Sequence, residues 1–282
     1  MPLIGTFGAG SKGGYGRGGG KAPYNVDFLI TGGGGGGGFY VGGGGGAGGY
    51  VAGTDKLLTI GETYTVTVGA PGPDSGGPTP YHQGGNGGNS ALTGETTAVG
   101  GGAGGGGYGG AGGAGGFPGQ PGGSGGGGGG NQVPPVTGGS GTAGQGNPGG
   151  GGGGFPGTGG GGGGAGSAGT PGSYGSGTAN SITGSSIYYC GGGPSNGGAY
   201  NPTGSSGPPY SPPWDTQKSD PNYFGGRGHG GYPDKYAGAS GGVYLRMLTK
   251  DYNSDGVTGS NVTSTDGDYT IIQFTGSGSY VA

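Results

Sequence analysis

Hydrophobic residues gather in a few short segments of the chain. Two of them, Asn25 to Ile30 (NVDFLI) and Gly242 to Leu248 (GVYLRML), are rich in β-branched and aromatic residues, and each is predicted to form a strand. Either strand alone would leave an apolar face in water, so we expect the two to pair in one sheet. Because they bracket most of the chain, this pairing would join its two ends.

The clearest alternation of polar and apolar residues is TYTVTV at 63–68, which follows a strand-like segment at 55–60. Gly61 and Glu62 lie between them and fit a two-residue turn, so the pattern predicts a hairpin. No segment combines a helical period with capping residues, and no α-helix is predicted. Shorter strand-like pieces are found at 90–99, 181–190, 268–274 and 279–282.

Glycine dominates the stretches between these segments. Thr31 to Tyr50 holds two nearly pure glycine runs separated by Phe39, Tyr40 and Val41. Such runs are flexible linkers by default. The alternative is an ordered polyproline-II helix, which has three residues per turn and leaves its backbone groups free to bond to neighbouring helices. Helices surrounded on every face need glycine at every position. We therefore predict all-glycine rods at 32–38, 125–130, 149–154 and 159–164.

A rod at the surface can carry a side chain at every third position, as in Tyr108, Ala111, Ala114 and Phe117 with glycine at every position between. The predicted fold class is therefore mostly irregular and all-β, a polyglycine-II helical sandwich flanked by short β-strands, with no α-helix. Aromatic residues beside the runs are expected to cap or flank the rods, because exposed rings would be costly. These are Phe39, Tyr40, Tyr50, Tyr108, Phe117 and Phe155.

Composition excludes an ordinary apolar core of this size. Of 282 residues, 100 are glycine, only 26% are hydrophobic and 7% are charged, against typical values of about 45–50% and 25%. A net charge of −3 argues against a nucleic-acid or anionic-membrane partner. Cys190 is the single cysteine, so an intrachain disulfide is excluded, and no signal peptide or transmembrane run is visible. These features predict a protein made in a cytoplasm and released by assembly or lysis.

Changes in composition divide the chain into three parts. Residues 1–24 are predicted to be an N-terminal arm and a candidate attachment segment. Residues 25–250 form the glycine-rich domain with variable loops, and residues 251–282 form a C-terminal β segment. Within the domain, 194–236 differs because glycine thins out and aromatic residues stand among prolines.

The loop aromatics indicate a contact surface, because tyrosine and tryptophan give a large, rigid contact area at low entropic cost. Residues 194–236 supply most of it and the Pro/Gly/Asn loop at 71–89 adds to it, although His82 is more often a solvated loop residue than a ligand. The candidate binding residues are Tyr81, His82, Tyr210, Trp214, Tyr223, Phe224, Arg227, His229 and Tyr232.

Motifs for enzymatic or metal chemistry are weak. G-x-G-x-x-G recurs by composition alone, and His82 and His229 are the only histidines, with no G-x-S-x-G elbow and no Cys/His cluster. We therefore predict no catalytic residue, no cofactor and no enzyme. Asp251, Asn253 and Asp255 match the opening of a calcium loop, but its twelfth position is Val262, which favours a plain Asx-rich turn.

Five pieces in order, VDFLITGGGGGGG, LTIGETYTVTVGAPG, GGNGGNSAL, SITGSSIYYCGGG and GGVYLRML, resemble the glycine-rich domain of tail-fibre proteins from marine and other tailed phages. The resemblance covers about residues 24–250. A similar design, with polyglycine-II helices and variable loops at the tip, is displayed by the receptor-binding adhesins of T-even-like phages. The N-terminal MPLIGTFGAGS departs from the fibre-attachment region of those adhesins.

The resemblance implies a non-enzymatic protein of the virion tail fibre, made in the host cytoplasm. Its expected partners are a host cell-surface receptor, either an outer-membrane protein or a surface glycan, and other virion or tail-fibre proteins, with homo-oligomers as a further candidate. The candidate binding residues would then contact the receptor. Two alternatives stay open: a structural decoration or self-assembling filament subunit built on packed glycine rods, and a depolymerising enzyme hidden behind the repeats.

Overall fold

The computed structural model describes residues 22–75, 82–107, 116–154, 157–195 and 237–282. Within these ranges the chain forms β-strands, extended glycine segments and turns, with no α-helix and one 3-10 turn at Ser254–Gly256. The strands are β1 (Tyr24–Thr31), β2 (Tyr50–Leu58), β3 (Thr63–Thr67), β4 (Ala91–Leu92), β5 (Thr178–Asn180), β6 (Ile187–Tyr189), β7 (Gly242–Leu248), β8 (Val257–Asp266) and β9 (Tyr269–Val281).

Seven of these strands form one curled antiparallel sheet, in the order β2-β1-β7-β9-β3-β4 with β8 also paired to β9. Strand β8 takes one edge of β9 along most of its length. The other edge of β9 pairs first with β7 and then with β3. Strands β7 and β3 thus lie one after the other along this edge of β9. Residues 257–281 therefore belong to the same sheet as β1. Strands β5 and β6 form a separate hairpin.

The predicted pairing of β1 with β7 is confirmed. The two strands are antiparallel neighbours, with Phe28 opposite Leu245 and Ile30 opposite Val243. All four side chains lie in one buried cluster, and Ile30, Val243 and Leu245 have no exposed surface. The apolar faces that each strand would expose alone are therefore covered together.

The predicted hairpin of 55–60 with 63–68 is wrong. Gly61 does turn the chain with a φ of 80°, but β2 pairs with β1 while β3 pairs with β9 and β4. The Gly61 N–H donates to the carbonyl of Ala282 at 2.8 Å, and Tyr64 lies opposite Tyr280. Alternation identifies a strand but not its partner, and here the end of the chain supplies that partner.

The sheet has an apolar core on one face and a smaller cluster on the other. Side chains from six strands form the first, including Phe28, Val66, Leu245, Phe274 and Tyr280. The second cluster joins the sheet to the hairpin of β5 and β6 and to the glycine segments. Its members are Leu29, Ala47, Ile182, Tyr189, Cys190 and Tyr244.

The β1–β2 pair continues past Thr31 and Tyr50 as two glycine segments, 32–38 and 42–49, in the same antiparallel register. In a β-ladder the hydrogen bonds between two strands repeat every two residues. Between these two glycine segments, one hydrogen bond forms at every third residue. The backbone N–H groups of Gly32, Gly35 and Gly38 donate to the carbonyls of Gly49, Gly46 and Gly43 at 2.9–3.0 Å.

Other positions of the same segment bond to other neighbours with the same period. The N–H groups of Gly33, Gly36 and Phe39 donate to the segment 82–88, and their carbonyls accept from Gly101, Gly104 and Gly107. No glycine at 32–38 or 125–130 has a positive φ. Backbone from several directions therefore surrounds the interior glycine segments.

At the periphery, side chains complete this network. Gln83, Asn86 and Asn89 are separated by pairs of glycines, and their side chains bond back to neighbouring segments. The Asn86 Oδ1 accepts the N–H of Ala103 and the Asn89 Oδ1 accepts that of Gly100, both at 2.8 Å. Each of these two asparagines thus satisfies one buried backbone donor, whereas Gln83 donates to the carbonyl of Pro118.

Replacing Asn86 by alanine is expected to destabilise the protein by about 1–3 kcal/mol, because the buried N–H of Ala103 would lose its acceptor. Denaturant unfolding of Asn86→Ala and Asn89→Ala would measure the loss. Asn86→Asp is the matched control, since it keeps Oδ1 as an acceptor at an exposed position. Unchanged unfolding midpoints in both alanine variants would contradict the prediction.

Candidate contact surface at the loop end

The glycine segments have one end at the sheet, beside Thr31 and Tyr50, and another that we name the loop end, where the turn of Phe39, Tyr40 and Val41 joins the first two segments. Backbone bonds gather other connections there. The Phe39 N–H donates to the His82 carbonyl at 3.0 Å, and the carbonyls of Phe39 and Val41 accept from Gly107 and Gly130.

Two side chains fix further connections at the loop end. Gln132 is buried; its Oε1 accepts the N–H of Gly116 at 2.7 Å and its Nε2 donates to the carbonyl of Gly130 at 2.9 Å. The Oδ1 of Asn131 accepts the N–H of Gly157 at 2.8 Å. The loop end is therefore held by the same backbone and amide bonds as the rest of the glycine-rich part.

Three large apolar side chains are exposed on this held backbone: Tyr40 at 39%, Phe117 at 41% and Val133 at 55%. Pro118, Pro134 and Pro135 beside them are exposed as well. Large exposed apolar groups close together indicate a contact site more than scattered ones do. The described part of the loop end is thus an apolar surface on an ordered support.

The expectation that the flanking aromatics cap the rods holds for Phe39, which is 6% exposed, and is wrong for Tyr40 and Phe117. Tyr40 has a left-handed backbone with φ 62° and lies in the turn, past the hydrogen-bonded pair of Gly38 and Gly43. The Tyr50 hydroxyl bonds to Asn180 at the sheet end. Tyr108 and Phe155 lie outside the described residues.

Charge is nearly absent from the glycine-rich part. In the described glycine-rich segments, Asp74 is the only charged residue, while the other described charges lie on the sheet strands or their connections. Long-range electrostatic steering therefore contributes little at the described loop end. Contact there would depend on aromatic and aliphatic area and on backbone or amide hydrogen bonds.

Of the candidate binding residues, only His82 lies within the described ranges. It is exposed, and its backbone bond to Phe39 places it at the loop end with Tyr40. The sequence did not indicate Tyr40, Phe117 or Val133 as contact residues, although their positions where glycine runs meet turns are a usable signal. Tyr81, Tyr210, Trp214, Tyr223, Phe224, Arg227, His229 and Tyr232 lie outside the described residues.

The segment 251–255, which matches the opening of a calcium loop, contacts the end of β9. The Asp251 carboxylate pairs with Lys250 at 3.0 Å. Asn253 donates its backbone N–H to the Tyr280 hydroxyl at 3.0 Å and its side-chain amide to the carbonyl of Val281 at 3.1 Å, and Asp255 lies in the 3-10 turn. Across the described ranges, no three His, Cys, Asp or Glu side chains come together as a metal site.

A family model described as a glycine-rich domain matches residues 19–248. The chain belongs to this glycine-rich domain family. The matched glycine-rich domain ends at Leu248, the last residue of β7, and so includes the glycine segments and the loop-end residues Tyr40 and Phe117. No curated protein and no solved structure matches the chain. Nowhere in the described ranges is a helix long and apolar enough to span a membrane.

Proposed function

We propose that the protein is a non-enzymatic phage tail-fibre adhesin that binds a host receptor, an outer-membrane protein or a surface glycan, through its loop end. The observation that carries the proposal is the exposure of Tyr40, Phe117 and Val133 together on the end of the glycine segments away from the sheet. The resemblance of the ordered series of motifs to tail-fibre proteins supports the virion as its location.

In this proposal the glycine segments form a polyglycine-II sandwich between the sheet and the loops. Hydrogen bonds at every third residue support it, since that helix has three residues per turn. The absence of positive φ angles at 32–38 and 125–130 agrees with it. Segments of six or seven residues at about 3.1 Å rise would span roughly 20 Å.

A glycine frame suits receptor binding because its faces have no side chains with which to bind anything specifically. Loops at its end can change sequence while the backbone network keeps its register. The described apolar residues would form one part of the surface. Trp214, Tyr223 and the other candidates of 194–236 would add rings able to stack on sugars or fill apolar pockets, and Arg227 and His229 would add hydrogen-bond donors.

Cell binding by single-site variants tests the proposal. Labelled protein is first incubated with a panel of bacteria and their outer-membrane fractions to find a binding host. On that host, Tyr40→Ala and Phe117→Ala are each expected to weaken binding about tenfold or more, as central aromatic contacts do. Tyr188→Ala, which removes an equally exposed ring from β6 near the sheet, is the matched control.

Two further variants, Trp214→Ala and Tyr223→Ala, are expected to keep the melting temperature and lower host binding. Unchanged binding by all four loop variants would rule out the loop end as the receptor surface. Absence of binding to every fraction, together with spontaneous filaments of purified protein, would instead favour a structural subunit.

A further inference from the structure

Strand β8 is an open edge of the sheet. It pairs with β9 on one side, and no strand in the described ranges pairs with its other side. The other edges are blunted. Edge strand β2 carries Lys56 and a left-handed Asp55 beside a register shift, and β4 has two residues. Short strands, lysines and irregularities are the usual protection of an edge.

β8 has little of this protection. Its ten residues, VTGSNVTSTD, contain no lysine, arginine or proline, and its one charged residue is the terminal Asp266. A register shift lies between Gly259 and Asn261, which leaves Asn261 to Asp266 as a regular stretch. Val262 in this stretch is 56% exposed. The stretch is therefore suited to accept another strand.

The turn determines which backbone groups of β8 are unused. Gly267, with φ 56°, and Asp268 connect Asp266 to its partner Tyr269. In such a two-residue turn the flanking residues are hydrogen-bonded to each other, and bonding then alternates along the strand. Ser264 and Val262 therefore bond to β9. Asn261, Thr263 and Thr265 direct their N–H and C=O groups away from it.

We propose that β8 pairs antiparallel with β8 of a second copy of this chain, about a two-fold axis at Thr263. Thr263 then lies opposite its own copy, and Asn261 lies opposite Thr265 on each side, so all three outward pairs exchange hydrogen bonds. Val262 lies beside Ser264 of the other copy and Asp266 beside Ser260, so no like charges are opposed. An isologous interface of this kind closes at a dimer.

The second copy is the occupant because β8 is complementary to itself. Pairing about Thr263 sets its one charged residue, Asp266, opposite Ser260, and its threonine, serine and asparagine side chains are uncharged, so self-pairing opposes no like charges. A strand from an unrelated protein would need no such symmetry. The dimer is independent of receptor binding and would give one assembly two loop ends.

Cross-linking at the axis tests the register directly. In a hydrogen-bonded antiparallel pair the Cα atoms lie about 5.5 Å apart, within the range that a disulfide spans. Thr263→Cys is therefore expected to form a disulfide-linked dimer under mild oxidation. Thr96→Cys, at an exposed threonine in the turn after β4, is expected to stay monomeric on the gel. The natural Cys190 does not compete, because it is buried and burial raises the pKa of its thiol.

Sedimentation of the unmodified chain gives the second test. Thr263→Lys would place two like charges opposite each other and is expected to raise the dimer dissociation constant at least tenfold, while Thr96→Lys leaves it unchanged. The proposal is overturned if the wild-type protein is monomeric at all concentrations and Thr263→Cys does not cross-link. A dimer that is insensitive to Thr263→Lys would overturn it too.

Discussion

A valine at Gly35 is expected to prevent the protein from folding. A Cβ atom at Gly35 would overlap the carbonyl oxygen of Gly102 and lie 2.6 Å from its carbonyl carbon. These atoms cannot move alone, because Gly35 donates to Gly46 and Gly46 donates to the same carbonyl of Gly102 at 2.8 Å. Moving the segments apart to remove this overlap would therefore break several hydrogen bonds, each of which contributes about 0.5–1.5 kcal/mol. Overpacking itself would cost about a further 1–3 kcal/mol.

Together these losses approach the whole stability of a typical domain, about 5–15 kcal/mol. Gly35→Ala is expected to lower the melting temperature strongly for the same reason. Gly154→Ala is the matched control, because the nearest atoms to its added Cβ are 3.7 and 3.8 Å away. Circular dichroism melts give the comparison. A soluble Gly35→Val protein with a wild-type melt would contradict tight backbone packing around Gly35.

Local side-chain chemistry was enough to predict β1 and β7. Both are short apolar segments rich in β-branched residues, and neither is stable without a partner. The glycine runs at 32–38, 125–130 and 159–164 were predictable in a similar way, since a position surrounded by backbone can hold only glycine. The predicted run at 149–154 is only partly enclosed, because the nearest atom to a Cβ added at Gly154 would be 3.7 Å away. The spacing of Asn86 and Asn89, with two glycines between them, is the pattern expected of a segment with one outer face, but it was not among the predicted segments.

The partner of β3 and the existence of β8 were not predictable. Strand β3 pairs with β9 across most of the chain, and nothing in TYTVTV distinguishes that partner from the nearer 55–60. Strand β8 was missed because only Val257 and Val262 are hydrophobic among its ten residues. It is a strand because β9 holds it through backbone bonds, which leave no mark on its side-chain pattern.

The candidate site was only partly predictable. A ring beside a glycine run can lie over the backbone or past its end, and the sequence reads the same in both cases. Phe39 directly follows the last hydrogen-bonded glycine pair and is buried, whereas the next residue, Tyr40, is exposed in the turn. The outcome depends on where each segment stops, which is set by neighbouring segments.

Average composition also conceals a local apolar core. The hydrophobic 26% of the chain is concentrated in the strands, so the sheet has a core although the glycine-rich part has almost none.

Phe274 is at the centre of the sheet core, with no exposed surface, between Val243 on β7 and Asn261 on β8. Phe274→Ala is expected to destabilise the protein by about 3–5 kcal/mol through lost burial and the cavity left behind.

Alanine at Phe117 tests whether the loop end contributes to stability as the sheet core does. Phe117 is 41% exposed, and its backbone hydrogen bonds do not depend on the ring, so Phe117→Ala should change stability by no more than about 0.5 kcal/mol. Phe274→Ala should lower the melting temperature by roughly 6–20 °C, given about 2–4 °C per kcal/mol for a chain of this size. Equal losses in the two variants would mean that the sheet core does not dominate stability and that Phe117 is part of the packed interior.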